Sequence, residues 1–182
     1  MKKTLLAIGA VGILGAGFVM NSGGAEPPSP ATISATVNTQ ASVNTKEEIK
    51  VLNRLDGALM LADALNIQPI EPTVHYEDVP GEHQGIINAL MNRNIVGSIT
   101  VDFFGSDEPM TLGETAIWMN VGFKLPAVEE NYSFVDVNEL CAQDIANVVG
   151  NGIMDPDSNT TFGIGNEVTL DQFNSYLEAA TK

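Results

Sequence analysis

Basic residues are scarce in this chain and cysteine is almost missing. Eight Lys and Arg stand against 23 Asp and Glu, a formal net charge of −15 over 182 residues. A surface of that sign repels phosphate backbones and anionic bilayers, so nucleic-acid binding and electrostatic membrane docking are disfavoured. The single cysteine, Cys141, leaves no disulfide framework, no Cys-rich zinc site and no CxxC redox pair. It has no basic neighbour in sequence to activate it as a nucleophile, and reads as a small buried hydrophobe. Familiar catalytic signatures are lacking too: there is no Gly-x-Ser-x-Gly, no His-Glu-x-x-His and no P-loop. His75 and His83 have no third ligand nearby to hold a metal. Asp155-Pro156-Asp157-Ser158-Asn159 spaces its oxygens like a calcium loop. However, Thr160 stands where glycine is needed and Asn166 where a bidentate Glu is needed, so a plain turn is expected. The lone Trp118 lies on an apolar helical stripe and is expected in the core rather than as a sugar platform. These absences point to a protein that is not an enzyme, without resident metal or cofactor.

What is present begins at the N-terminus. Lys2 and Lys3 precede an apolar, Gly-rich run from Leu5 to Met20 and then small residues to Ala25, the order of a secretory signal peptide over 1–25 cleaved after Ala25. The run is short of the ~20 strongly apolar residues that span a bilayer, so the processed chain is not expected to be transmembrane. Losing Lys2 and Lys3 leaves 23 acidic against 6 basic residues, making the exported form more acidic still. Residues 26–44 hold Pro, Ser and Thr with one charge and no periodicity, and are expected to be a flexible linker.

Beyond the linker the sequence repeats with a step of 58 residues. Tyr76-Glu77-Asp78-Val79 returns as Phe134-Val135-Asp136-Val137, Ile87 as Ile145, Ile95 as Ile153, Phe104-Gly105 as Phe162-Gly163, and Thr111-Leu112 as Thr169-Leu170. One further step back, the columns Leu52/Met110/Val168 and Met60/Trp118/Tyr176 stay apolar. The chain therefore divides into a partial unit, 45–72, and two full units, 73–128 and 129–182.

Each full unit predicts helix, loop, helix. Asp78 and Asp136 are placed to cap the first helix, and Asn92-Arg93-Asn94 and Gly150-Asn151-Gly152 to stop it. Thr111 with Glu114, and Thr169 with Gln172, are capping boxes that start the second helix, and Asn53 to Asp56 is a weaker version. Leu112, Ala116, Met119 and Phe123 make one stripe, and Leu170, Phe173, Leu177 and Ala180 its counterpart, so the second helices are expected to pack on one another. Thr45-Lys46-Glu47-Glu48 predicts a lead-in helix running past Asn53.

An aromatic-x-Asp-Val opening, a Gly-Ile or Asn-Ile turn after the first helix, a Phe in the loop and a Thr-x-x-Glu helix start together resemble the S-layer homology (SLH) domain over residues ~50–182. The resemblance implies an all-α fold of helix-loop-helix units in a pseudo-threefold bundle, with short extended loop segments. It also implies a secreted, non-catalytic protein of the cell wall or cell surface, associated with an S-layer and held non-covalently on an acidic secondary cell-wall polysaccharide. In that family an Arg after the Thr of the second helix contacts the acidic sugar, helped by a Trp near the start of the first helix. Arg54 keeps that arginine, while Leu112 and Leu170 replace it in the later units. The Trp position falls at His83 or Gln84 and at Cys141 or Ala142.

Lys46, Lys50 and Arg54 lie at four-residue steps, so on one helix they form a basic ridge, which Arg93 could complete. That ridge is either the contact for the acidic polymer or a solvated face paired with Glu47 and Glu48. The other function open at this level is a degenerate SLH scaffold that contacts another envelope or secreted protein. A glycan-cleaving carboxylate pair has no support beyond the abundance of acids.

Overall fold

Asn53, Thr111 and Thr169 each start a helix, and for the same reason. Their backbones are extended, and each side-chain oxygen accepts a hydrogen bond from the amide three residues on: Asp56 at 2.7 Å, Glu114 at 3.2 Å and Gln172 at 3.2 Å. Glu114 and Gln172 reach back to the amides of Thr111 and Thr169, completing both capping boxes. Each cap satisfies backbone donors that the helix leaves open and contributes about 1 kcal/mol. The helices that follow are α1 (Arg54–Ala64), α3 (Leu112–Phe123) and α5 (Leu170–Ala180). Between them lie α2 (Gln84–Met91), entered through a 3-10 turn at Gly81–His83, and α4 (Ala142–Gly150). This computed structural model describes residues 49–130 and 132–182. The signal peptide, the linker, Lys46 and the Thr45 capping box lie outside the described residues.

The lead-in helix expected to run past Asn53 is not formed there. Val51 instead bridges Thr169, and Asn53 bridges Pro109 with extended backbone before it caps α1. The residues just ahead of the three caps tie the molecule together. The Leu52 N–H donates to the Val168 carbonyl (2.9 Å), Val168 N–H to that of Met110 (2.9 Å), and Met110 N–H to that of Leu52 (2.8 Å), closing a ring. Three further bonds repeat beside it: Arg54 N–H to Glu108, Leu112 N–H to Asn166, and Leu170 N–H to Lys50, at 2.9, 2.9 and 3.0 Å. Leu52, Met110 and Val168 are fully buried. Buried backbone groups must find partners, and these bonds supply them where no strand forms among the described residues. Among the described residues the regular elements are all helical.

α2 and α4 end as their sequences predict, in left-handed residues at Asn94 (φ 56°) and Gly152 (φ 69°). Their apolar spacing buries Ile87 and Leu90, and Ile145 and Val148, with Ile95 and Ile153 continuing the core past each end. The second helices meet at α5, and the first helices pair with them as well. α1 packs on α2 and α3 on α4, across the boundaries between sequence units, and α5 lies against α1 and α3. The connecting segments are anchored to these pairs by buried amides. Asn88 of α2 takes the N–H groups of Thr73 and Val74 at 3.0 and 2.9 Å, and Asn147 of α4 takes that of Val128 at 3.0 Å. Of the α5 stripe only Phe173 is fully buried; Leu170, Leu177 and Ala180 are half-buried. Trp118 and Cys141 are core residues.

Candidate functional site

Asp78 and Asp136 do not cap helices. Each carboxylate instead accepts three successive backbone N–H groups of a loop 26 to 28 residues away. Asp78 takes those of Phe104, Gly105 and Ser106 at 2.8, 2.6 and 2.5 Å. Asp136 takes those of Phe162, Gly163 and Ile164 at 2.9, 2.7 and 3.0 Å. Three adjacent amides can face one carboxylate only if the middle residue turns its backbone over. Gly105 (φ 87°) and Gly163 (φ 86°) do so where a side chain would be strained. Burial alone would raise both carboxyls, but the three N–H donors outweigh it and hold each below the ordinary carboxylate range. The pinned loops carry the buried Phe104 and Phe162 against Tyr76 and Phe134, with ring centroids 6.3 and 6.0 Å apart.

The pinned 104–106 loop receives Arg54. Its Nε and Nη2 donate to the Phe104 carbonyl at 3.3 and 3.1 Å, Nη2 also to that of Gly97 at 2.6 Å, and Nη1 pairs with Glu114. The guanidinium lies over the rings of Phe104 and Trp118, 5.0 and 5.3 Å from their centroids. Glu114 serves two partners, Arg54 through Oε1 and the Thr111 amide through Oε2. Burial pulls the guanidinium pKa down, and attraction to Asp78 and Glu108 pushes it up; an arginine stays charged throughout. With 5% of its surface exposed, Arg54 is a staple between α1, the 97–106 loop and α3 rather than part of a surface ridge.

The Lys46–Lys50–Arg54 ridge therefore needs correcting. Lys50 precedes α1 in a non-helical segment, exposed and 3.9 Å from Asp56, while Arg54 turns inward. Lys46 falls outside the described residues. Arg93 does not join Arg54 either. Arg54 opens α1, whereas Arg93 borders Leu65 at its far end, about 16 Å away along eleven residues of helix.

Two clefts flank this framework. One, of about 350 Å³, opens beside the pinned loop and is lined by Asp78, Thr100, Phe103, Ser106, Asp107 and Glu108. Its walls are acidic. The buried Ser106 hydroxyl finds no partner among the described residues. The other, of about 330 Å³, sits where α1, α2 and α3 end. Leu65, Ile67, Ile95 and Val121 form its floor, and Arg93 and Lys124 its charged edge. Lys124 was missed in the sequence, yet a signal for it existed. Asn66 and Lys124 stand one 58-residue step apart, and both take left-handed backbone at a helix end, φ 52° and 53°. Among the described residues no group of three or more His, Cys, Asp and Glu side chains is gathered as a metal site would need. The Asp155–Asn159 segment is a turn closed by Ser158, whose N–H donates to the Thr161 carbonyl at 2.9 Å. No described helix is long and apolar enough to cross a membrane.

No family model matches the chain, and no curated protein matches it.

Proposed function

We propose that this chain is an exported, non-catalytic cell-envelope protein that attaches non-covalently to an acidic cell-wall polysaccharide through SLH-like units packed with pseudo-threefold symmetry. The observation that carries the reading is the closed hydrogen-bond ring of Leu52, Met110 and Val168 with the three bonds that repeat beside it. Leu52, Met110 and Val168 are one 58-residue step apart and bond to one another around the ring, while the N–H groups of Arg54, Leu112 and Leu170, also one step apart, donate to Glu108, Asn166 and Lys50, which are again one step apart. Supporting it are the two Asp-pinned loops and the two capping boxes, which fall at the same step as the motifs resembling the family. Arg54, the one arginine retained at the family position, acts here by holding the 97–106 loop, so the polymer would meet exposed bases such as Lys50 and Arg93. A strongly acidic protein is repelled by an anionic polymer at long range, and Mg2+ or Ca2+ would screen that repulsion.

The burial of Arg54 favours a second reading, a degenerate SLH scaffold that contacts another envelope protein. Sedimentation with purified sacculi in magnesium or calcium buffer separates the two. The first reading predicts that the processed chain, residues 26–182, pellets with sacculi freed of protein but carrying their polysaccharide. If it pellets only while wall proteins remain, the scaffold reading holds instead.

A further inference from the structure

The cleft of about 350 Å³ beside the pinned 104–106 loop joins three features that the fold does not require. The first is Ser106. Its N–H donates to Asp78 and its carbonyl accepts from Leu55, but its hydroxyl, in a residue only 3% exposed, bonds to nothing among the described residues. A buried polar group without a partner is costly and rare in a folded chain. One repeat step later the same place is held by Ile164, whose N–H donates to Asp136 in the same way, so the pin needs no hydroxyl. Ile164 approaches Gly113, and the residue one step before Gly113 is Leu55; a larger neighbour accounts for a small side chain at Ser106, but not for its oxygen. The second feature is a pair of acids. Asp107 and Glu108 are exposed, line the cleft with Ser106, and have no cationic side chain within 4.0 Å among the described residues; the other unit has Gly165 and Asn166 there. The third is an apolar wall. Ile99 and Phe103 stay 56% and 44% exposed, on an arch in which the Ile99 and Thr100 N–H groups donate to the Phe103 carbonyl at 3.0 and 3.1 Å. Their counterparts one step later are Asp157 and Thr161. The two pinned loops thus share their Asp, Phe and Gly, while these three features belong to one loop only.

We infer that this cleft is a binding site for a primary alkylammonium group, the side chain of a lysine on a partner protein, with the ammonium held by Ser106, Asp107 and Glu108 and its stem lying on Ile99 and Phe103. A divalent metal fits less well. Three N–H groups already hold the Asp78 carboxylate, and among the described residues no three His, Cys, Asp and Glu side chains gather as a metal needs. An ammonium has three donors, which a hydroxyl and two carboxylates match, and its four-carbon stem gains from an apolar bed. The Phe103 ring adds a face that attracts cations. A volume of about 350 Å³ lies at the small end of ligand clefts, roughly 300–1,000 Å³, and suits one side chain. The net charge of −15 favours a basic partner at long range. None of this depends on attachment to the wall, which sedimentation with sacculi tests separately.

The test is an amide-shift titration by NMR of the 15N-labelled processed chain with the peptide acetyl-Ala-Lys-Ala-amide. Its Nε-acetylated form, butylamine and MgCl2 are titrated in parallel at matched ionic strength. The expected result is saturable movement of the Ile99, Phe103 and Ser106 amides with the lysine peptide and none with the acetylated one. Binding should weaken at least tenfold in Asp107→Asn/Glu108→Gln and several-fold in Ser106→Ala. The Tm of Ser106→Ala should equal or exceed that of wild type, because the variant loses a hydroxyl that has no partner in the free protein. No movement, equal movement with the acetylated peptide, or an undiminished response in either variant overturns the assignment. Tighter binding of butylamine than of the peptide overturns the partner protein as the source, and movement of the same amides by MgCl2 at lower concentration makes the cleft a metal site instead. A clear fall in the Tm of Ser106→Ala would show the hydroxyl bonded inside the fold and equally remove the proposal.

Discussion

Replacing Arg54 by methionine removes a buried charge at the point where three parts of the fold meet, and its cost can be worked from the contacts. The guanidinium gives up its bonds to the Phe104 and Gly97 carbonyls and its pair with Glu114, together with its position over Phe104 and Trp118. Hydrogen bonds to a charged group contribute about 1.5–3 kcal/mol each, and breaking a buried pair by removing one partner costs about 3–5 kcal/mol. Two features reduce the loss. The Glu114 side chain is 33% exposed and recovers water, and methionine can pack on the two rings that the guanidinium covered. The net destabilisation should be about 2–4 kcal/mol. For a domain of this size that is a fall in Tm on the order of 10 °C, readable by calorimetry or circular dichroism at pH 7. Adding Glu114→Gln to Arg54→Met should cost less than the sum of the two single changes, because the pair is already broken. A Tm within about 2 °C of wild type would mean that the guanidinium is not what holds the 97–106 loop.

Two further outcomes follow from the pinned loops. Asp78 and Asp136 have carboxyls lowered in the folded state, so their stabilisation is fully present above the unfolded value near pH 4 and is lost as pH falls through the folded value. Asp78→Asn/Asp136→Asn should therefore lie below wild type in urea midpoint at pH 7, and the gap should narrow below about pH 4. A gap that stays constant to pH 2.5 contradicts the pinning. Gly105→Ala should cost about 1–3 kcal/mol, since φ is 87° and the new methyl group would collide with Ile99 and come within 3.1 Å of Arg54 Nε. Gly81→Ala meets nothing within 4 Å and should be near neutral, so equal Tm values for the two variants would count against this reading of the loop.

Much of the framework was legible because it depends on local chemistry repeated at a fixed step. The capping pairs Thr111/Glu114 and Thr169/Gln172 lie three residues apart and need no tertiary information to recognise. The apolar column Leu52/Met110/Val168 also stood out, since full burial demands apolar side chains at all three places. What hid from the sequence was long-range. A short carboxylate before a helix suits a cap and a distant loop equally well, and nothing local reveals that Asp78 reaches Phe104 to Ser106. The four-residue spacing of Lys46, Lys50 and Arg54 suggested a ridge because it presumed one helix. The backbone bond from Leu170 N–H to the Lys50 carbonyl instead keeps that segment extended and lets Arg54 turn inward. Helix pairing across unit boundaries was equally invisible, because it follows from how neighbouring units stack rather than from either unit alone.

The measurement that bears most directly on the function is sedimentation of the processed chain with protein-free sacculi, compared with sacculi whose secondary polysaccharide has been chemically removed. The account predicts that the protein pellets with the first in magnesium buffer and stays in solution with the second. Protein that remains in the supernatant with intact polysaccharide, or that pellets equally with stripped sacculi, contradicts it.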